Sequence, residues 1–382
     1  MHLAVLLDER ISDWAAKGEI LSGYFNPAGA FERVSVIVLP HDNPTLATVE
    51  RLAAPAPATF VAMGVDRRVL AAKTLGLLDA LLARELRPLV EQVRGLRPDL
   101  VRAYGDGLAA AAAGIVSAAT GVPYVVSLHA TPDESRERNA SWRERVWRRL
   151  LAGAVARGLA GAHALLAVYS PIVEGLPAPL RARATVVPNV VARAPRRERR
   201  DDRPDRPLEV LWVGRMIAGR DPAPLIDALA QVSNARLTMI GDGPLAESVR
   251  ARARASGAGK RIRFVAALDN ARLIAGLSNF DVLALRTDYA EVAKPVMVAA
   301  LAGLPVVINR TPSQSLAEYD NFPAIFVDAI GESYAAALGR LADDAEWRYE
   351  IAGRTLAAAL ERWDPASVAA RTAALMRAAI TG

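Results

Sequence analysis

The chain contains no cysteine in 382 residues. Disulfide scaffolds, thiolate zinc sites, iron–sulfur clusters and thiol catalysis are therefore excluded. Lysine is almost as scarce: Lys17, Lys73, Lys260 and Lys294 are all there is among 47 basic residues. The remaining basic residues are arginines in an alanine-rich chain, the pattern of a GC-rich coding bias. Most of them read as solvated surface in spite of the formal net charge of +6, and each lysine is correspondingly more informative. Aromatic residues make up 5% and no nucleic-acid-binding motif is present, so nucleic acid is not expected as a partner. No Asp-x-Asp occurs. Met1–Arg10 lacks a basic leader and reads as a first strand rather than an export signal, which implies a cytoplasmic protein. Gly107–Pro132 carries no charge, yet Thr120-Gly121-Val122-Pro123 breaks it into helix, turn and buried strand rather than a membrane span.

What is present is alternation. Apolar runs of strand length fall at Leu3–Leu7, Val34–Leu39, Thr59–Ala62, Leu100–Tyr104, Pro123–Leu128, Ala164–Val168 and Thr185–Val187. Helical patterns such as Gly76–Arg94 and Leu108–Thr120 lie between them. Continuous Val/Ile/Leu runs mark strands covered on both faces, and their alternation with helices implies parallel sheets. The segment APRRERRDDRPDRP at 194–207 is nearly all charge and proline and reads as an exposed linker. Alternation then resumes at Leu208–Val213, Arg236–Ile240, Ile262–Val265, Val282–Leu285, Pro305–Ile308 and Ala324–Val327. The expectation is an α/β protein of two Rossmann-like domains, 1–193 and 208–362. A C-terminal helix within 363–382 packs back on the first domain, and a ligand binds in the cleft at the carboxyl ends of the strands.

Three constellations carry chemistry. Gly241-Asp242-Gly243 follows a strand and opens a helix, matching G-x-G-x-x-A with Ala246. It follows the second strand of its half, however, and lacks the acidic residue expected about 20 positions on. A tight turn beside a ligand fits better than a dinucleotide site. Gly214-Arg215 ends a strand and Arg220 precedes a helix opening at Asp221-Pro222, so two cations on one loop can clamp a diphosphate. Lys294 begins a helix, where a cation is unfavourable unless an anion lies between it and the free amides.

These segments resemble the retaining glycosyltransferases of family 4, also called group 1, which have the GT-B fold. Leu211–Arg220, Ile240–Leu245, Arg261–Val265 and Asp281–Val307 look like that family's "VGRL…KG", "GDGP", "RVRF" and "ADVFVLPS…EG…EAMAAGLPVV" segments. Pro98–Tyr104, Gly121–Ala130 and Val186–Val190 resemble its first-half motifs. The resemblance implies an enzyme of class EC 2.4 that moves a sugar, with retained configuration, from a nucleotide-sugar to a glycan, lipid-linked or small-molecule acceptor. Bacterial surface polysaccharide synthesis or metabolite glycosylation would be its setting, without an essential metal. It implies Arg215, Arg220, Lys294 and Gly214 at the donor diphosphate, and Gly241, Asp242, Gly243 and the Val298 position at the nucleotide. It also implies His129 and Glu291 as catalytic groups, and Lys17-Gly18, within Ser12–Pro27, in the first loop of the acceptor domain.

Departures from the pattern leave an alternative open. Val298 stands where the second glutamate of E-x(7)-E holds the ribose, and the first position falls on Ala290, with Glu291 next to it. The intervening glycine loop is Val292-Ala293-Lys294. Either Glu291 and Lys294 rebuild the site, or the chain is a non-catalytic GT-B protein acting as a binding partner or scaffold; a nucleotide-sugar epimerase would need carboxylates not found here. Finally, Ser135–Leu151 places Trp142, Val146 and Leu150 on one stripe among six arginines. Such a helix either packs on the sheet or lies on an anionic membrane at the inner face.

Overall fold

In the computed structural model the described residues are 1–66, 70, 79–130, 142–196, 206–310 and 316–381. They form two compact units, Met1–Val190 with Ala366–Gly382, and Val191–Pro365. In the first unit a seven-stranded parallel sheet consists of β1 (His2–Leu7), β2 (Arg33–Val38), β3 (Ala58–Ala62), β4 (Leu100–Tyr104), β5 (Tyr124–Leu128), β6 (Ala164–Ala167) and β7 (Ala184–Val186). Its order is β3-β2-β1-β4-β5-β6-β7. The second unit holds β8 (Leu208–Val213), β9 (Ala235–Ile240), β10 (Ile262–Val265), β11 (Val282–Leu285), β12 (Val306–Asn309) and β13 (Ile325–Val327), in the order β10-β9-β8-β11-β12-β13. Every strand lies within one residue of the apolar run that predicts it. The reason is visible in β1, β4, β5, β11 and β12, where every residue is buried.

The charge-free stretch folds as the helix Leu108–Thr120, ended by Gly121 at φ +76, and then β5. Alanines 109–113 are all buried because the helix Trp142–Ala160 crosses at backbone contact. A Cβ on Gly158 would meet the Ala110 carbonyl, and one on Gly114 would lie 3.1 Å from Gly158 Cα. Small residues are therefore a packing requirement here. No helix among the described residues is long and apolar enough to cross a membrane. The C-terminal helix Pro365–Thr381 places Val368, Met376 and Ala379 in the core of the first unit, beside Leu3, Val5 and Tyr104.

Three expectations change. Gly76–Arg94 is not one helix: within the described residues there are two, Asp79–Glu85 and Arg87–Leu96. Pro88 sits in the first turn of the second, where its missing N–H costs no hydrogen bond. Ser12–Pro27 is not simply a loop, because Ile11–Ala16 is helical and Asp42 Oδ2 accepts the Ile11 N–H at 2.6 Å. The linker is anchored at both ends: Ala194 is buried, and Arg206 bonds the fully buried Asp281 at 2.6 Å. Its middle, 197–205, lies outside the described residues.

Candidate functional site

In the second sheet β8 and β11 are neighbours, but the chain leaves β8 toward β9 and leaves β11 toward β12. The loops beyond their carboxyl ends therefore diverge, opening the crevice in which α/β sheets place ligands. Arg220, on the loop after β8, and Glu291, on the loop after β11, meet across it. Arg220 Nε donates to Glu291 Oε1 at 2.9 Å and Nη2 to Oε2 at 2.6 Å, a bidentate ion pair. Glu291 is 7% exposed. A carboxylate so buried needs a counter-charge, and the planar guanidinium fork supplies it.

The pair is braced from several sides. Thr287 Oγ1 donates to Glu291 Oε1 at 3.3 Å. The Asn309 side chain, at the end of β12, accepts the Thr287 N–H at 2.8 Å and donates to the Thr287 carbonyl at 2.9 Å. The Arg220 guanidinium lies 5.0 Å from the centroid of the Tyr289 ring. That ring packs so closely on Gly219 that any side chain there would overlap it. The Asp288 N–H donates to the Gly219 carbonyl at 2.8 Å, and Arg286 Nη1 to the Ala218 carbonyl at 2.9 Å, lacing the two loops together. Thr287, Asn309 and Tyr289 were not anticipated. A short polar pair at a strand end, Arg286-Thr287, was the only signal available.

The remaining residues expected at the donor separate into two groups. Arg215 is exposed on the same loop, and Lys294 is exposed in the first turn of the helix Lys294–Leu301, whose N-cap, Ala293, offers no side-chain cap. Both leave cations beside the crevice loops. Gly241 and Gly243 instead face protein. At φ +140 and +157 they bring the turn after β9 against Gly214–Met216, where the Met216 N–H donates to the Asp242 carbonyl and the Leu245 N–H to the Met216 carbonyl, each at 3.0 Å. Asp242 is exposed and accepts the Gly243 N–H at 2.8 Å. The helix begins at Ala246, so Pro244 lies in the turn before it. Val298 is buried within its helix and has no polar group to offer a ribose.

In the first unit β4 and β5 carry a second cluster at their carboxyl ends. Tyr104 pairs with Ser127 in register, so Arg102, Tyr104, Ser127 and His129 share one face of the sheet. His129 stacks on Tyr104 with ring centroids 5.4 Å apart and planes 9° apart. The Arg102 guanidinium lies 4.5 Å from the centroid of the same Tyr104 ring, and its Nε donates to Ser127 Oγ at 2.9 Å. Burial pushes the Tyr24 phenol up to about 12 and the Tyr104 phenol higher still, with Arg102 opposing both shifts. A small pocket is lined by Arg102, Ser127, His129, Asn189, Tyr24 and Thr372, among others. Lys17 and Gly18 do not reach it as a loop; they terminate the helix Ile11–Ala16, with Gly18 at φ +71 and Lys17 exposed. Among the described residues no group of three or more His, Asp or Glu could hold a metal ion.

Residues 207–344 match the family model described as glycosyl transferases group 1. A curated relative, the 2-deoxystreptamine N-acetyl-D-glucosaminyltransferase of Streptomyces fradiae, is 29% identical over 305 residues, 75% of this chain and 72% of that enzyme. Glycogen synthase of Mycobacterium tuberculosis is 28% identical over 57% of this chain and 53% of its own length. Among solved structures, Anabaena HepE in complex with UDP and glucose superposes with a TM-score of 0.71 at 17% identity, covering 98% of this chain and 99% of HepE. WaaG, a glycosyltransferase involved in lipopolysaccharide biosynthesis, gives 0.62 at 12% identity, with 98% and 99% covered. Two parallel sheets with these neighbours establish a two-domain, Rossmann-like GT-B fold.

Proposed function

We propose that the protein, whose residues 207–344 match the group 1 glycosyltransferase family model, transfers a sugar from a nucleotide-sugar to an acceptor with retention of anomeric configuration. The observation that carries this reading is the Arg220–Glu291 pair across the β8/β11 crevice. As the glycosidic bond to the donor diphosphate breaks, negative charge accumulates on the leaving phosphate while the anomeric carbon becomes cation-like. Arg220, Arg215, Lys294 and the free amides at the start of the helix Lys294–Leu301 stabilise that charge, and cations held in place before reaction are worth far more than mobile ones. Glu291 acts by holding the Arg220 fork in one orientation. Gly214, Gly241, Asp242 and Gly243 shape the floor of the loop. The first unit takes the acceptor, with His129 as its candidate reacting group. These cations do the work that a metal would otherwise do, so transfer proceeds in EDTA. The acceptor is a glycan, a lipid-linked sugar or a small molecule of the kind bacteria glycosylate.

The test is thermal melting of the full chain against UDP, GDP, ADP, CMP and dTDP, for wild type and Arg220→Ala. A ligand at 100 times its dissociation constant stabilises by about 2.7 kcal/mol, a clear shift in midpoint. One nucleotide is expected to shift wild type and to shift the variant much less. The matching nucleotide-sugar should then give an α- or β-linked product of unchanged anomeric configuration by NMR. If a cooperatively melting wild type responds to none of the five, the donor reading fails and the non-catalytic alternative replaces it.

Contact with a membrane at the cytoplasmic face is a further part of the proposal. Of the segment Ser135–Leu151 that motivates it, residues 135–141 lie outside the described residues. In the remainder Val146 is 44% exposed, with exposed Arg145 and Arg149 nearby. Co-sedimentation with anionic phosphatidylglycerol vesicles and loss of it in Val146→Glu are expected. Equal recovery of both proteins in the supernatant would remove the membrane from the proposal.

A further inference from the structure

Arg102 is the most anomalous charge in the first unit. It lies at the centre of β4 and is 7% exposed. Its Nη1 is buried and has no hydrogen-bond partner. Its described neighbours are the Ser127 hydroxyl, the Tyr104 ring and the phenols of Tyr24 and Tyr104. None is an acid, and both phenols stay neutral at any working pH, so no counter-charge meets the guanidinium among the described residues. A buried charge without a counter-charge is among the costlier things a fold can contain. Arginine cannot escape by losing its proton, as a lysine or histidine would.

The surroundings of Nη1 are built to receive something. Arg102 lines a pocket with Ser127, His129, Asn189 and Thr372 at the carboxyl ends of β4 to β7, the end of a parallel sheet where ligands bind. Asn189 Oδ1, in the same lining, is also buried and unbonded; an acceptor, it can take a hydroxyl hydrogen of the same ligand but not its acidic oxygen. The free space is about 20 Å³, enough for one water-sized group. A sugar ring does not fit, but one acidic oxygen of a ligand does, with the rest of the ligand outside. A single water would satisfy the hydrogen bond of Nη1 and leave its charge unmet.

We infer that this pocket is an anion subsite in which Arg102 Nη1 receives an acidic oxygen, carboxylate or phosphate, of the molecule bound by the first unit. On the proposed glycosyltransferase reading, that molecule is the acceptor, which is therefore anionic. Sequence reading passed over Arg102, although an arginine inside the apolar run Leu100-Val101-Arg102-Ala103-Tyr104 is the signal that marks it.

The experiment titrates the full chain with D-glucuronate, glucose 6-phosphate and glucose at constant ionic strength, following the melting midpoint, and with UDP in parallel. Wild type is expected to respond to at least one acid and not to glucose. In Arg102→Gln the apparent dissociation constant for that acid should rise at least tenfold, with the UDP response kept. Arg220→Met, altered only in the other unit, should keep the acid response. Glucuronate and glucose 6-phosphate distinguish carboxylate from phosphate. An equal response to glucose would overturn the inference, and that comparison needs no variant to fold. So would a response surviving Arg102→Gln, one lost in Arg220→Met, or none to either acid, which would leave the pocket to water. A UDP response without an acid response rejects the anion subsite and leaves the glycosyltransferase reading standing. An acid response supports the subsite whichever nucleotide is the donor, and that reading is rejected only if none of the five nucleotides shifts the wild type.

Discussion

Glu291→Gln is expected to lower kcat for sugar transfer about 10²-fold while changing affinity for the responding nucleotide less than about threefold. The magnitude is that of losing one preorganised charge-stabilising group. Glutamine keeps one oxygen for Arg220 but loses the second charge-assisted bond, the 2.6 Å contact between Nη2 and Oε2. The guanidinium then retains its charge and loses its fixed orientation, so ground-state binding survives and leaving-group stabilisation does not. Arg220→Met should behave differently. It removes the cation itself, lowers affinity for the responding nucleotide about tenfold, equivalent to about 1.4 kcal/mol, and leaves buried Glu291 without its strongest partner, at a cost of about 3–5 kcal/mol in stability. The double variant should be no worse in transfer than the poorer single one, since the two residues act as a unit. Steady-state kinetics with nucleotide titration checks all three. A Glu291→Gln protein with wild-type kcat would reduce Glu291 to a structural residue and remove the positioning role assigned to it.

Gly241→Ala is expected to destabilise the second unit by more than about 4 kcal/mol, the range reserved for a named structural fault. Its φ of +140 lies outside the territory of L side chains, and a Cβ would fall 1.8 Å from the Gly214 carbonyl oxygen. Neither backbone can retreat, because the Gly214 N–H is bonded to the Ile240 carbonyl at 3.0 Å and the Gly241 N–H to the Val265 carbonyl at 2.8 Å. At 2–4 °C per kcal/mol for a unit of this size, the midpoint should fall by about 10 °C or more. Gly257→Ala is the control: it has φ +72 and nothing within 4 Å of its Cβ position. It should cost only the left-handed backbone penalty of about 1–2 kcal/mol. If the two variants melt together, the close approach of the turn to Gly214–Met216 is not what demands glycine at 241.

Much of the fold was legible because of one physical circumstance. Strands buried on both faces must be apolar throughout, so β1, β5 or β11 can be located from composition alone. Gly121 ends its helix at φ +76, a stop signal with a local cause. The charged cluster at 194–207 was equally legible as a break. Where local signals are ambiguous the structure departs from the expectation: Ser12–Pro27, expected as a loop, starts within the helix Ile11–Ala16, which Lys17-Gly18 follow as a turn. The GDGP turn was found, but not that its glycines serve backbone packing, because the Gly214–Met216 loop they touch is more than 20 residues away.

The sequence by itself determined the α/β class, the thirteen strands of the described residues, the presence of Arg220 and Glu291 on strand-to-helix loops and that of Lys294 at a helix start. Only the tertiary structure decided that Arg220 is bound to Glu291, 71 residues on, and that Arg102 has no acid beside it among the described residues. Hydropathy along a chain reports which faces leave water, a local property. Whether a buried charge meets its opposite depends on which strands become neighbours, and that follows from the placement of β8 beside β11, and of β4 beside β5, in the folded sheets.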